Sequence, residues 1–94
     1  MRKLAWHSSF RRAFRRKTRN DPHLRDRVLE TLARLAEDLF DPRLRTHKLR
    51  GRLEGLWACR VEYDCRIVFA LVPDPQGDDD MIALIDIGTH DEVY

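Results

Sequence analysis

Residues 56–72, which read LWACRVEYDCRIVFALV, decide the fold of this 94-residue chain. The two parts of the stretch, Leu56–Tyr63 and Cys65–Val72, are rich in the valine, isoleucine, aromatic and small apolar residues that favour β-strands. A tight connection at Tyr63-Asp64 joins the two parts, so we predict a β-hairpin. The remaining elements are then arranged around this hairpin.

The residues after the hairpin form a turn and one more strand. Residues 73–80, PDPQGDDD, are rich in proline, glycine and aspartate, and such a segment cannot pair in a sheet. Residues 81–87 are apolar again and predict the last strand. A short first strand is predicted at residues 3–6.

Two helices are predicted between the first strand and the hairpin. The first has a buried stripe of Phe10, Ala13 and Phe14 and is expected to start at Ser8 or Ser9 as N-cap. The second is predicted from about Pro22 to Phe40, with Asp21 as its N-cap and Asp41-Pro42 as its end. Its apolar residues recur at steps of three and four, at Leu24, Val28, Leu32, Leu35 and Leu39, with Leu29 and Ala36 widening the stripe.

The element order is therefore β-α-α-β-β-β, which predicts an α+β fold. We expect a small, mainly antiparallel sheet packed against an N-terminal helical hairpin. A chain of this length makes one domain, here residues 1–94.

Composition and charge exclude several classes of protein. No apolar run is long enough to span a membrane, and the N-terminal MRKLAWHSSF has no apolar core of a secretory signal. Two cysteines without an export signal favour reduced thiols, so we expect a cytoplasmic protein. Neither a metal-binding spacing nor a serine triad is present, and no cofactor is expected.

The charge is divided unevenly along the chain. Residues 1–52 contain 16 of the 18 Lys/Arg and 6 of the 16 Asp/Glu, while residues 53–94 contain 2 basic and 10 acidic residues. Such a dipolar surface attracts nucleic acid or an acidic protein partner. A solvated helix face is the alternative explanation for the helical charges.

Titratable residues are concentrated in residues 46–66 and 87–94, and we expect these two segments to meet at a site for a phosphate-bearing substrate, RNA above all. Cleaving RNA without a metal requires a base for the ribose 2′-hydroxyl, cations for the phosphate and an acid for the leaving oxygen. The candidate acid and base residues are His47, Asp64, His90 and Tyr94. The candidate phosphate clamp is formed by Arg60 and Arg66.

Each of these residues also has a purely structural explanation. A histidine in a loop is commonly a surface residue, and an arginine at the end of a strand commonly belongs to a solvated face. Asp64 in a tight turn is a turn-forming residue first. Thr89 and His90 are suited to ending the last strand.

The two segments resemble the central signature of the RelE/ParE superfamily of type II toxins. The matching residues are His47-Lys48-Leu49-Arg50-Gly51, Gly55-Leu56-Trp57, Arg60-Val61, Asp64 and Arg66-Ile67-Val68-Phe69. The ending IGTHDEVY, residues 87–94, is similar to the YafQ-like branch in particular. The expected fold is then RelE-like along essentially the whole chain.

This resemblance implies an mRNA interferase that enters the ribosomal A site, cuts mRNA without metal and is held by a cognate antitoxin. By similarity, His47, Asp64 and His90 match acid and base positions, and Tyr94 matches a C-terminal aromatic residue. Arg60 stands where YafQ-like toxins have another histidine and RelE-like toxins tend to have arginine.

The sequence departs from the family pattern in two places. Cys65 replaces a tryptophan, and Asp86 and Ile87 occupy the place of an arginine. Phosphate and RNA binding would therefore come from Lys48, Arg50, Arg60 and Arg66. Two alternatives remain open at this point: a ParE-like inhibitor of DNA gyrase, and a catalytically inactive antitoxin-binding module.

Overall fold

The computed structural model describes all 94 residues as one α+β domain. Its five strands and three α-helices follow one another as β1 (Leu4–Trp6), α1 (Ser8–Thr18), α2 (Pro22–Glu37), β2 (His47–Lys48), β3 (Trp57–Glu62), β4 (Cys65–Val72), β5 (Met81–Gly88) and α3 (His90–Val93). Single 3₁₀ turns lie at Pro42–Leu44 and Gly51–Leu53. The predicted class and order are confirmed, and β2 and α3 are additions to the prediction.

The strands form one sheet with the order β1-β5-β4-β3-β2. The β3–β4, β4–β5 and β2–β3 pairs are antiparallel, while β1 lies parallel to β5 at one edge, with Leu4 opposite Ile82. The sheet is therefore mainly antiparallel, as predicted. The hairpin of β3 and β4 lies within it and turns at Tyr63-Asp64.

The starts of the helices differ in how their backbone N–H groups are satisfied. The side chain of Asp21 accepts a hydrogen bond from the Leu24 N–H at 3.0 Å, so the predicted N-cap of α2 is confirmed. For α1 the N-cap is His7, and the prediction of Ser8 or Ser9 is wrong. Ser9 instead donates its hydroxyl to the carbonyl oxygen of Ile85 at 2.6 Å, which ties α1 to β5.

The end of α2 lies three residues before the predicted one. Helix α2 stops at Glu37 because Asp38 takes an extended conformation, with φ −147° and ψ 97°. Leu39 then turns into the core, whereas Phe40 is 59% exposed and packs edge-on against the Trp57 ring at 5.8 Å between centroids. Leu29 lies at the exposed margin of the helix rather than in its buried stripe.

One face of the sheet, the inner face, is covered by α1 and α2. Its buried side chains come from alternate strand positions, with Cys59 on β3 and Cys65, Ile67 and Phe69 on β4. The helices contribute the apolar residues Phe10, Ala13, Phe14, Val28, Leu32 and Leu35. Because side chains alternate along a strand, Ala58, Arg60, Arg66 and Val68 project to the opposite face, which we call the outer face.

None of the helices has the length and hydrophobicity that crossing a lipid bilayer requires.

Candidate active site

Two arginines face each other across the central hairpin on the outer face. Arg60 of β3 lies directly opposite Arg66 of β4, a like-charge pair that costs stability. The Arg66 guanidinium donates from Nη1 to the carbonyl oxygens of Glu62, at 3.3 Å, and Tyr63, at 3.1 Å. Arg60 lies 6.0 Å from the centre of the Tyr63 ring. Neither arginine forms an ion pair with a carboxylate, so both retain donors for an external anion.

His47 lies at the edge of the same face with one ring nitrogen free. It is paired with Ala58, so its side chain projects to the outer face. Its Nδ1 is 2.8 Å from the carbonyl oxygen of Arg45, a residue held at φ 51°. A carbonyl oxygen only accepts, so Nδ1 carries the hydrogen in this contact. In the neutral ring, Nε2 of His47 is then the unprotonated nitrogen and is available as a base.

His90 and Tyr94 form the other end of the site. Their rings meet edge to face, with 4.5 Å between centroids, on and just beyond α3. The Tyr94 hydroxyl is buried and has no hydrogen-bond partner. Burial raises the pKa of Tyr94, and the nearby Arg66 guanidinium opposes that increase. His90 is exposed, with Nδ1 3.4 Å from the Asp91 carboxylate.

The strand order arranges these groups in a row. His47 is on β2, Arg60 on β3 and Arg66 on β4, and Gly88 of β5 is paired with Arg66 and leads to His90. With roughly 4.8 Å between strands, the backbones of β2 and β5 are about 14 Å apart. The two segments meet where Gly88 pairs with Arg66, and the Arg66 guanidinium is close enough to Tyr94 to affect its pKa. The two histidines lie on opposite sides of the arginine pair and share no hydrogen bond.

The remaining predicted residues lie around this row. Asp64 is exposed in the β3–β4 turn and has no hydrogen bond to either histidine. Lys48 places its ammonium 5.5 Å from the centre of the Trp57 ring, and Arg50 is exposed before the second 3₁₀ turn.

The loop that follows Lys48 folds back on itself. Gly51 and Gly55 both have positive φ, 67° and 95°, and the Leu49 N–H donates to the Leu56 carbonyl oxygen at 2.9 Å. These two glycines shape turns, and the loop returns the chain to β3 beside His47.

The two cysteines belong to the core and are both free thiols. Burial raises the pKa of Cys59 to about 12 and that of Cys65 to about 11. Both groups are therefore protonated thiols near neutral pH and are unsuited to act as nucleophiles. No three His, Cys, Asp or Glu side chains come close enough together to hold a metal ion.

Two charged residues that the sequence analysis did not single out hold α3 in place. Glu92 forms a capping box with Thr89 and an ion pair with Lys17 of α1. The Thr-x-x-Glu spacing of residues 89–92 is a sequence signal for such a box. No comparable signal marks Lys17, which is one of five basic residues in α1.

The basic surface of α1 contains a groove with an aromatic floor. Trp6 and Phe14 lie at the floor of this groove, their rings edge to face at 5.3 Å. Its rim is formed by the four arginines Arg11, Arg15, Arg19 and Arg25. All four are exposed and none forms an ion pair. We refer to these six residues as the basic groove.

A family model for the bacterial toxin of type II toxin–antitoxin systems, YafQ, matches residues 2–94. The chain belongs to the YafQ toxin family. The resemblance read from the sequence is thereby confirmed, and this YafQ-family chain is a type II toxin. No curated protein sequence is significantly similar to it.

Solved structures share the fold of this YafQ-family toxin along nearly its whole length. The YoeB/ParE toxin from Agrobacterium tumefaciens is 19% identical, with 94% of this chain and 98% of that chain covered and a TM-score of 0.76. A mutant YafQ from E. coli is 15% identical, with 100% of this chain and 99% of that chain covered and a TM-score of 0.73. A chain of the YoeB–YefM complex from Staphylococcus aureus is 15% identical, with 96% of this chain and 98% of that chain covered and a TM-score of 0.71. At these identities the similarity establishes the RelE/YafQ-like fold.

Proposed function

We propose that this YafQ-family toxin is an mRNA interferase: a ribosome-dependent endoribonuclease that cuts mRNA in the A site by metal-independent acid–base catalysis. One observation supports the proposal, namely the strand order that brings His47 of β2, Arg60 of β3 and Arg66 of β4 side by side, with Gly88 opposite Arg66 and His90 two residues further along the chain. An in-line displacement at phosphorus needs a base and an acid on opposite sides of the phosphate and cations between them. The row has that order.

The reaction then proceeds in one displacement. Nε2 of His47 removes the proton of the ribose 2′-hydroxyl, and the 2′-oxygen forms a bond to phosphorus. The bond from phosphorus to the 5′-oxygen of the next nucleotide breaks as His90 donates a proton to that oxygen. The products are a 2′,3′-cyclic phosphate and a free 5′-hydroxyl. The guanidinium groups of Arg60 and Arg66 bind the charge that develops on the phosphoryl oxygens.

The other candidate residues take supporting roles in this proposal. The Tyr94 ring supports His90 edge to face and lies beside Arg66. Lys48 and Arg50 lie beside His47 and extend the cationic surface along the RNA strand. Asp64, exposed in the turn next to the arginine pair, is positioned to contact a ribose hydroxyl or a base rather than to orient a histidine.

Substitution of either catalytic histidine is expected to abolish ribosome-dependent cleavage. His47→Ala and His90→Ala should each lower the rate about 10²–10⁴-fold, since each removes one proton transfer. The measurement is primer extension on a reporter mRNA in a translating extract to which antitoxin-free toxin is added. His23→Ala is the matched control, because His23 is exposed on α2 and makes no hydrogen bond. Intact mRNA in the presence of folded wild-type toxin contradicts the proposal.

The proposed protein partner is a cognate antitoxin encoded beside the toxin gene. The related YoeB is solved in a complex with YefM, and the basic groove offers this chain a surface for an acidic segment of its own partner. Four guanidiniums without carboxylate partners are costly to hold together, and an antitoxin that supplies carboxylates offsets their repulsion. The aromatic floor adds a small apolar contact.

Charge reversal within the basic groove is expected to weaken antitoxin binding specifically. The double variant Arg15→Glu/Arg19→Glu should lose at least about tenfold in affinity for the product of the adjacent gene, because like charges then face each other. Arg12→Glu/Arg16→Glu is the matched control, since both arginines are exposed on α1 outside the groove. Isothermal titration calorimetry at two salt concentrations measures the antitoxin affinity of both double variants. Equal losses in the two variants would assign the effect to net charge and contradict a role for the groove.

A further inference from the structure

Helix α3 carries His90 and leads into Tyr94, yet it contains only four residues. A helix of one turn has no stability of its own, since nucleation is unfavourable and almost no internal hydrogen bonds compensate for it. The position of the His90 and Tyr94 rings must therefore be set by contacts between α3 and the rest of the domain. Glu92 makes two such contacts, with Lys17 and with Gly88, and it also closes the start of α3 through a capping box with Thr89.

The capping box lies at the start of the helix. The Thr89 hydroxyl accepts a hydrogen bond from the Glu92 N–H at 3.2 Å, and the Glu92 carboxylate accepts one from the Thr89 N–H at 2.8 Å. This reciprocal pair fixes the direction in which α3 leaves β5.

The contact with Lys17 crosses to α1. The Lys17 ammonium donates to the same Glu92 carboxylate oxygen that accepts from Thr89. Lys17 is partly shielded, with 24% of its side chain exposed, against 47% for Glu92. The Lys17 hydrogen bond is the first cause of the decrease in the pKa of Glu92 to about 2. A lowered carboxylate pKa stabilises the folded state at every pH above the ordinary carboxylate pKa, and this stabilisation is lost as the pH falls toward 2. At neutral pH Glu92 is therefore ionised and its ion pair with Lys17 is fully formed.

The contact with Gly88 is a close approach of β5 to α3. A Cβ atom on Gly88 would lie 2.9 Å from the Glu92 carboxylate oxygen and 3.1 Å from the Glu92 Cβ. Gly88 is paired with Arg66, so Glu92 approaches β5 at the residue that lies opposite this arginine. The lack of a side chain at residue 88 lets the carboxylate lie over the strand end and reach Lys17.

We propose that Lys17 and Glu92 are positioning residues that lock α3 against α1 and so place the His90–Tyr94 pair beside Arg66. The inference rests on the proposed function, because it assigns these two residues to the geometry of the acid side of that reaction. Neither residue touches the phosphate. Their pair acts through the helix that carries the proton donor.

The test uses three substitutions on α1. Lys17→Ala removes the ion pair, Lys17→Arg retains it, and Arg16→Ala removes a neighbouring exposed charge that makes no ion pair. Lys17→Ala is expected to lower kcat about tenfold with little change in KM, since a small displacement of a catalytic group slows chemistry more than binding. Lys17→Arg should regain most of the rate and Arg16→Ala should match the wild type.

Amide hydrogen exchange provides a second measurement that does not depend on cleavage. The N–H groups of Val93 and Tyr94 donate to the Thr89 and His90 carbonyl oxygens within α3. They should exchange several-fold faster in Lys17→Ala than in the wild type, while the amides of β4 remain unchanged.

Unchanged exchange in Lys17→Ala would overturn the proposal, as would faster exchange with an undiminished kcat. A wild-type toxin that cuts no mRNA would overturn the proposed function instead, and hydrogen exchange would then still decide whether the ion pair holds α3.

Discussion

Replacing Arg66 with alanine is expected to lower the rate of mRNA cleavage about 10²–10³-fold, the usual cost of removing one preorganised donor to a developing anion. The reason lies in its surroundings: two backbone carbonyl oxygens orient the guanidinium, no carboxylate neutralises it, and it lies between the two histidines. Primer extension in a translating extract measures the effect. Arg66→Lys should recover only part of the rate, because the lysine ammonium retains the positive charge but cannot form two parallel hydrogen bonds to a phosphate.

The same substitution separates catalysis from stability. Arg66 faces Arg60 directly across the hairpin, so its removal relieves a like-charge repulsion. Arg66→Ala also loses the two hydrogen bonds to the carbonyl oxygens of Glu62 and Tyr63, which opposes this gain. We therefore expect the melting temperature to stay close to that of the wild type while cleavage is lost. Arg52→Ala is the matched control, since Arg52 is exposed in the 3₁₀ turn away from this pair. A fall in melting temperature that accounts for the lost rate would assign Arg66 to the fold and contradict the catalytic role.

The largest expected effect on stability is that of Phe69→Ala. Phe69 is fully buried in β4 at the centre of the inner face, and truncating such a side chain costs about 3–5 kcal/mol through lost transfer energy and the cavity left behind. A domain of this size has a free energy of unfolding of roughly 5–14 kcal/mol, so the loss is a large fraction of the total.

Urea denaturation measures this loss, with Phe40→Ala as the control. The chemical change is the same, but Phe40 is 59% exposed and its ring packs edge to face with that of Trp57 at the surface. We expect Phe40→Ala to lower the free energy of unfolding by less than about 1 kcal/mol. Similar losses in the two variants would mean that the sheet, and not the ring of Phe69, determines the stability of the core.

The predictable part of the fold is the part encoded in local patterns. The apolar and β-branched residues of Cys65–Val72 predict β4, and Asp21 and Pro22 predict the start of α2. The predicted end of α2 is wrong because Leu39 continues the helical spacing, although the backbone has already left the helix at Asp38. Strand β2 has only two residues and exists through its pairing with β3, which no local pattern reveals.

The candidate site was predictable as a set of residues and only partly as an arrangement. The sequence indicates which side chains carry protons and charges. The row of His47, Arg60 and Arg66 depends on strand register, which is a long-range property. The link from Lys17 to Glu92 joins residues 75 positions apart, and its lysine is one basic side chain among several on α1. Interactions of this kind become visible only when the strands and helices are assembled.

The position of β5 also bears on when the domain can fold during its own synthesis. Strand β5 lies between β4 and β1, and it pairs residues 82–84 with residues 4–6. A nascent chain that has emerged only as far as the central hairpin therefore lacks the strand that joins its first element to the rest, and such long-range pairing slows folding. The candidate residues His90 and Tyr94 follow β5 directly in the chain. The sheet and the candidate site are therefore incomplete until the hairpin, β5 and α3 have all emerged from the ribosome.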